Sequence, residues 1–269
     1  MNRATLMWRA TWGRALPRLK GSMRSPSWVL YETLLPLLAT TAFVFVYRAL
    51  GAPDRFVSYV IMGGAAVAFW MNVLWMMAAQ FYWEKRNGNL DVFMVSPCGI
   101  TPILLGMSLG GIVSTALRAT AVVAIGTLVF HASFDLSRLP ALVGVFLLSL
   151  VALYGLGAAL ASLFLYWGRE SWHVAQLFTE PVLLVSGVYF PAHALGFGVG
   201  LAASAVPLTL ALDALRQLLI GAAHPALFPL PIEVGGLAGL AVIYLAAARF
   251  ALRGMERLAR REGRLSRRY

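Results

Sequence analysis

Six apolar stretches recur along this chain, at roughly 28–48, 57–80, 102–130, 139–167, 171–190 and 232–253. Each approaches or exceeds the run of about 20 residues that a helix needs to cross a hydrocarbon core about 30 Å thick. A soluble domain has no use for six such segments, because burying one fully apolar helix takes a core far larger than 269 residues can build around six of them. The composition agrees: 60% of residues are hydrophobic, 12% are charged and the mean hydropathy is +0.76, whereas a soluble domain carries about one quarter charged residues. The breaks between stretches hold turn and charge signals, from Gly51 to Arg55, Glu84 to Gly88, His131 to Pro140 and Gly168 to Glu170. The sequence therefore predicts an all-α membrane protein with six transmembrane helices.

The net charge of +11 is concentrated at the two ends. Residues 1–25 hold Arg3, Arg9, Arg14, Arg18, Lys20 and Arg24 with no acid, and from Arg249 onward eight arginines stand against Glu256 and Glu262. Nucleic-acid binding would need basic side chains spread over a folded face, which this distribution excludes. Basic segments flanking apolar spans instead follow the positive-inside rule and place both ends in the cytoplasm. An even number of crossings satisfies that arrangement, and the nearly neutral inner loops leave orientation to the ends. Residues 1–26 are expected to form an interfacial amphipathic helix rather than a secretory signal. Trp8, Trp12, Leu16, Leu19 and Met23 recur at steps of three and four, and Pro17 should bend or divide the run. A disordered basic tail is the alternative. Residues 254–269 read as a basic cytoplasmic tail.

Between the fifth and sixth spans, residues 191–231 are too apolar for a water-exposed loop and too broken by proline and glycine for one straight helix. Irregular backbone at membrane depth survives only where protein or a water-filled cavity covers it. Two re-entrant helices fit that limit, with Asp213 and Arg216 near the second; an external apolar loop packed on the bundle is the alternative. At membrane depth Arg118, Glu180 and Glu32 stand out, because a charge there costs about 3 kcal/mol on insertion scales. Arg118 and Glu180 are expected to face the bundle interior, paired with each other or along a translocation path with Tyr189. Glu180 precedes Pro181, and Glu32 lies within reach of the interface. Gly106 and Gly110 make a GxxxG step that lets helices approach closely.

Catalytic and cofactor constellations are absent from the sequence. It has no GxxxxGK[ST] phosphate loop, its four histidines lack metal-ligand spacing, and Cys98 is its only cysteine. The cytoplasmic segment of residues 81–99 is the informative remainder. Its charges come first, Gly88 breaks the chain, and Leu90, Phe93 and Met94 then repeat at helical spacing up to Pro97. A short helix with one apolar face suits docking onto a partner.

That segment resembles the cytoplasmic loop of the ABC-2 family of exporter permeases. Glu84, Gly88, Leu90, Asp91, Ser96 and Pro97 match its pattern in place, whereas Arg86 departs from an acidic position. Glu180-Pro181 followed by Ser186-Gly187-Val188-Tyr189-Phe190-Pro191 is similar to the family's fifth-span run, and Pro207 with Leu215-Arg216 to its external re-entrant helices. The resemblance implies a permease subunit of an ATP-driven exporter in the bacterial inner membrane, paired with a second copy of itself or a close paralogue. Two separate ATPase subunits would bind ATP and Mg, so this chain would carry no cofactor and no metal. It also implies that the loop is a coupling helix, with Glu84 and Asp91 pairing with basic groups of the ATPase. Lys85 and Arg86 would lie beside them, and Leu90, Phe93 and Met94 would fill an apolar groove. The cargo would be a lipid, a hydrophobic drug or a lipid-linked glycan. The competing readings are a proton-coupled secondary transporter using Glu180 and a membrane-embedded lipid-modifying enzyme.

Overall fold

The computed structural model describes residues 2–89, 93, 101–167, 170–221 and 224–262. Every regular element among them is helical. In chain order these are α1 (Arg3–Arg24), α2 (Pro26–Ala49), α3 (Arg55–Met71), a π-helix (Asn72–Ala78), α4 (Gln80–Arg86), α5 (Thr101–Phe130) and α6 (Leu139–Trp167). They are followed by α7 (Glu170–Val185), a 3-10 turn (Ala192–Leu195), α8 (Phe197–Ala203), α9 (Pro207–Ile220) and α10 (Leu230–Glu262). Five helices among the described residues are long and apolar enough to cross a membrane: α2, the α3 run, α5, α6 and α10. A sixth candidate by length is the α8–α9 pair, which is bent by 110°.

The fifth stretch, expected as a span at 171–190, differs. It is helical only from Glu170 to Val185, and its 16 residues reach about 24 Å at ~1.5 Å per residue. Gly187 takes φ +75 and ends the helix in a turn. Further differences have local causes. α1 runs undivided through Pro17 and stops at Ser25, where Pro26 opens α2. α10 continues beyond the expected span, so the start of the basic tail is helical.

Successive contacts fix the topology. Phe69 meets Phe146, Tyr154 meets Asn72, and Gly157 faces Val73 and Met77, so α3 with its π-helix runs parallel to α6. Ala152 clusters with Leu237 and Ala241, and Gly155 faces Leu245, so α10 is also parallel to α6. α1 and the start of α5 pack along the end of the bundle where α4 and α6 finish, and the basic end of α10 is directed the same way. This is the basic end of the bundle. Trp8, Trp12 and Leu16 of α1 are exposed, while Thr11 and Ala15 are buried. The aromatic stripe thus turns away from the bundle and the small-residue face packs onto α5. Gly106 permits that approach, since a Cβ there would overlap the Thr11 carbonyl oxygen, and one at Gly110 would lie 2.9 Å from the Ala15 carbonyl oxygen. Replacing Gly106 by Leu should force α1 off α5 at a cost of about 1–3 kcal/mol. The expected result is a lowered thermal unfolding midpoint of the purified protein, with Gly13→Leu, at a position facing open space, as the neutral control.

Candidate functional site

At the basic end, α4 continues α3 through the π-helix and is tied sideways to α1. Arg14 forms an ion pair with Glu84, whose side chain is almost fully buried. The Asn89 side chain donates to the other Glu84 oxygen at 2.8 Å, and the Asn89 N–H donates to the Glu84 carbonyl at 2.9 Å. Gly88 takes φ +75, the turn that Asn87–Asn89 needs after α4. Arg14 also lies over the Phe93 ring at 5.3 Å, and Arg86 over Trp83 at 5.8 Å. Glu84, expected to reach a partner, is thus already bound within the chain. Lys85 lies on α4. Leu90, Asp91, Met94, Ser96 and Pro97 lie outside the described residues.

A second group sits deeper. Arg118 pairs with Glu32 and not, as expected, with Glu180. Glu32 therefore serves the bundle interior instead of the interface. Glu180 is exposed on the surface of the single chain. The reason is helical phase: Ala175, Thr179 and Leu183 form the buried stripe of α7 at four-residue steps, and Glu180 stands one residue off it. Next to the Glu32–Arg118 pair, Tyr154 donates to the Asn72 side-chain oxygen at 2.9 Å, at the first residue of the π-helix. Arg18 approaches from α1, where a Cβ at Gly111 would stand 3.0 Å from that Asn72 oxygen and 3.7 Å from the Arg18 Nε. Desolvation, opposed by Tyr154 and aided by Arg14 and Arg118, pushes the Arg18 guanidinium down to about 10, so it stays charged at neutral pH.

The third group lies at the opposite end and was only half visible in the sequence. Arg216 of α9 is 1% exposed. Its guanidinium donates to the carbonyls of Gly187, of Val188 at 3.0 Å and of Tyr59 at 2.9 Å, and it stacks 3.3 Å from the Tyr59 ring centroid. The Tyr59 hydroxyl donates to the Gly187 carbonyl at 2.9 Å, and the Tyr47 hydroxyl to the Tyr189 carbonyl at 2.9 Å. The Tyr189 ring stacks on Phe43 at 4.3 Å. Asp213 meets His224 at 2.7 Å and accepts from the Leu227 N–H at 2.8 Å, and buried Glu233 accepts from Gln217 at 2.6 Å. Sequence reading passed over Tyr59, Gln217 and Glu233, and of His224 noted only that it lacks metal-ligand spacing. An acid at the very start of the expected last span was the available signal for Glu233. Among the described residues no group of three or more His, Cys, Asp or Glu could hold a metal ion.

The described residues thus form a multi-pass helical membrane bundle, with charged groups buried in pairs and against backbone carbonyls. The family model described as ABC-2 type transporter matches residues 17–220. The chain belongs to that family, and is thus a transmembrane permease of the ABC transporter class. A search of curated proteins gave no match.

Two outcomes test these assignments. Glu32→Gln and Arg118→Gln should each cost about 3 kcal/mol by leaving one buried charge unpaired, whereas the double variant should lose less than their sum; thermal unfolding of all four proteins closes the cycle. Arg216→Met should destabilise by a similar ~3 kcal/mol, and Tyr59→Phe by only about 1 kcal/mol, because the arginine still covers the Gly187 carbonyl.

Proposed function

We propose that this chain is the membrane half of an ATP-driven exporter, working as a pair of like subunits above two separate ATPase subunits. Its setting is the cytoplasmic membrane of a bacterium, with both termini on the ATPase side. The observation that carries this reading is the junction of Arg14 with Glu84, which welds α1 to the end of the α3–α4 run at the basic end. A push received by residues 84–97 is then delivered along two elements at once, the surface helix α1 and the helix running through α3. In this scheme Glu84 is an internal strut. Contact with the ATPase falls to Lys85, Arg86, Leu90, Asp91, Phe93, Met94 and the Ser96-Pro97 end. The π-helix at Asn72–Ala78 supports the scheme, since π segments within long helices are frequent at functional sites.

Pairing of subunits is supported by α7. Glu180 lies on a face that also exposes Leu177 and Leu184. A carboxylate held at that depth against lipid is costly, and a second subunit relieves the cost. The bent α8–α9 pair acts as a re-entrant hairpin that closes the outer end of the path. The cargo is a lipid, a hydrophobic drug or a lipid-linked glycan.

Co-expression with the ATPase and pull-down of this chain should recover both in equal amounts, with transport dependent on ATP. Glu84→Lys should uncouple ATP hydrolysis from transport, and Arg14→Glu combined with Glu84→Arg should restore coupling in part. Material that purified alone and transported on a proton gradient, losing activity in Glu180→Gln, would identify a secondary transporter instead.

A further inference from the structure

Two cavities share a wall near the end opposite the basic one. The first, of about 470 Å³, lies between α3, α5, α6 and α9 and is lined almost wholly by apolar side chains, with Phe69, Val123, Leu153 and Leu212 among them. α5 and α6 scarcely touch each other, and the lining residues Thr120 of α5 and Val143 of α6 are exposed. The cavity therefore opens sideways between these two helices, toward the space that lipid occupies around a spanning bundle. The second cavity, of about 700 Å³, has a mixed lining with charged groups and sits where the α2–α3 and α5–α6 turns meet. It is lined by Arg48, Asp54, Arg55, His131 and Asp135. Phe134 and Leu219 contribute to both cavities, and the Asp135 N–H donates to the Leu219 carbonyl at 2.8 Å beside the shared wall.

We propose that each subunit holds one zwitterionic phospholipid here, an acyl chain entering the apolar cavity through its lateral mouth and the headgroup reaching the second cavity past the Phe134 and Leu219 side chains that line both. The phosphate is placed near Arg48 and Arg55, and the amine near Asp54 and Asp135. Three features favour this occupant over an added protein segment. The mouth faces laterally, at the depth where acyl chains run. A backbone entering so apolar a cavity would find almost no partner for its N–H and C=O groups, which an acyl chain does not possess. The rim supplies two cations and two anions, the pattern that matches a phosphate joined to an ammonium, whereas a purely anionic headgroup meets two carboxylates. The site lies within one subunit's wall and does not depend on the exporter reading. Its back wall is α9, so the bound lipid would brace the helix that carries Arg216.

The test uses delipidated full-length protein titrated with dioleoyl phosphatidylethanolamine or dioleoyl phosphatidylglycerol and read by native mass spectrometry. A phosphatidylethanolamine carrying a diazirine on one acyl chain gives the position of labelling. One tight adduct per chain is expected, with preference for phosphatidylethanolamine and labelling on α5, α6 or α9. Thr120→Trp, at the exposed mouth, should weaken the adduct by at least about tenfold, because each methylene displaced from an apolar site costs roughly fourfold. Asp54→Asn with Asp135→Asn should abolish the headgroup preference while leaving labelling of the cavity walls. Unchanged binding in Thr120→Trp, labelling elsewhere, or no preference between the two lipids would overturn the proposal. So would a disulfide-linked dimer through Val143→Cys in a Cys98→Ser background, which would show that a second copy of the chain covers the mouth.

Discussion

Backbone carbonyls that leave a helix inside a membrane must find donors, and the upper half of this bundle is organised by that demand. Where α7 ends at Val185, the carbonyls of Gly187, Val188 and Tyr189 are released among apolar helices. Arg216, Tyr59 and Tyr47 take them up. At the α8–α9 elbow the same problem recurs and is met the same way: Thr209 donates to the Ala203 carbonyl at 2.8 Å, and Tyr244 of α10 to the Ala205 carbonyl at 2.7 Å. Each donor belongs to a helix other than the one that broke or to the far side of the break. The irregular segments are therefore fastened to α2, α3, α9 and α10 by hydrogen bonds as well as by apolar contact.

At the basic end, polar groups join one helix to another instead of covering broken backbone. Arg14 and Glu84 join the surface helix to α4, while Asn72 begins the π-helix and binds Tyr154 of α6. Glu32 and Arg118 hold α2 to α5 one layer further in. These contacts lie on neighbouring helices, so α4 is linked to α1, α3 and α6 through charged or hydrogen-bonded joints. The apolar faces between them carry no directional preference.

The spans themselves were legible because lipid imposes one simple rule, length of apolar run, and α5 and α6 begin and end within a residue of the positions that rule gives. The GxxxG step at Gly106 and Gly110 was also readable as close approach, though not that α1 would be the neighbour. What the sequence hid was helix phase and partner choice. Glu32, Glu180 and Arg118 all register as charges at depth, but which two meet depends on how α2, α5 and α7 are rotated in the bundle. The apolar stripe of α7 is diluted by Leu177 and Leu184, which are equally hydrophobic and face outward, so periodicity could not place Glu180. The end of α7 was hidden for a related reason: Val188, Tyr189 and Phe190 are as apolar as a helix interior, and only the Ser186-Gly187 pair marked the stop.

The bent α8–α9 pair has a consequence for how the chain is assembled during synthesis. Long apolar helices can enter the bilayer one after another as they leave the ribosome, because each satisfies its own backbone. The segment from Ser186 to Phe228 cannot do so, since its exposed peptide groups are met by Tyr47 and Tyr59, made long before it, and by Tyr244 and Glu233, made after it. Part of its backbone is therefore satisfied only once α10 is in place, so this end of the bundle depends on the last helix as well as on the first two.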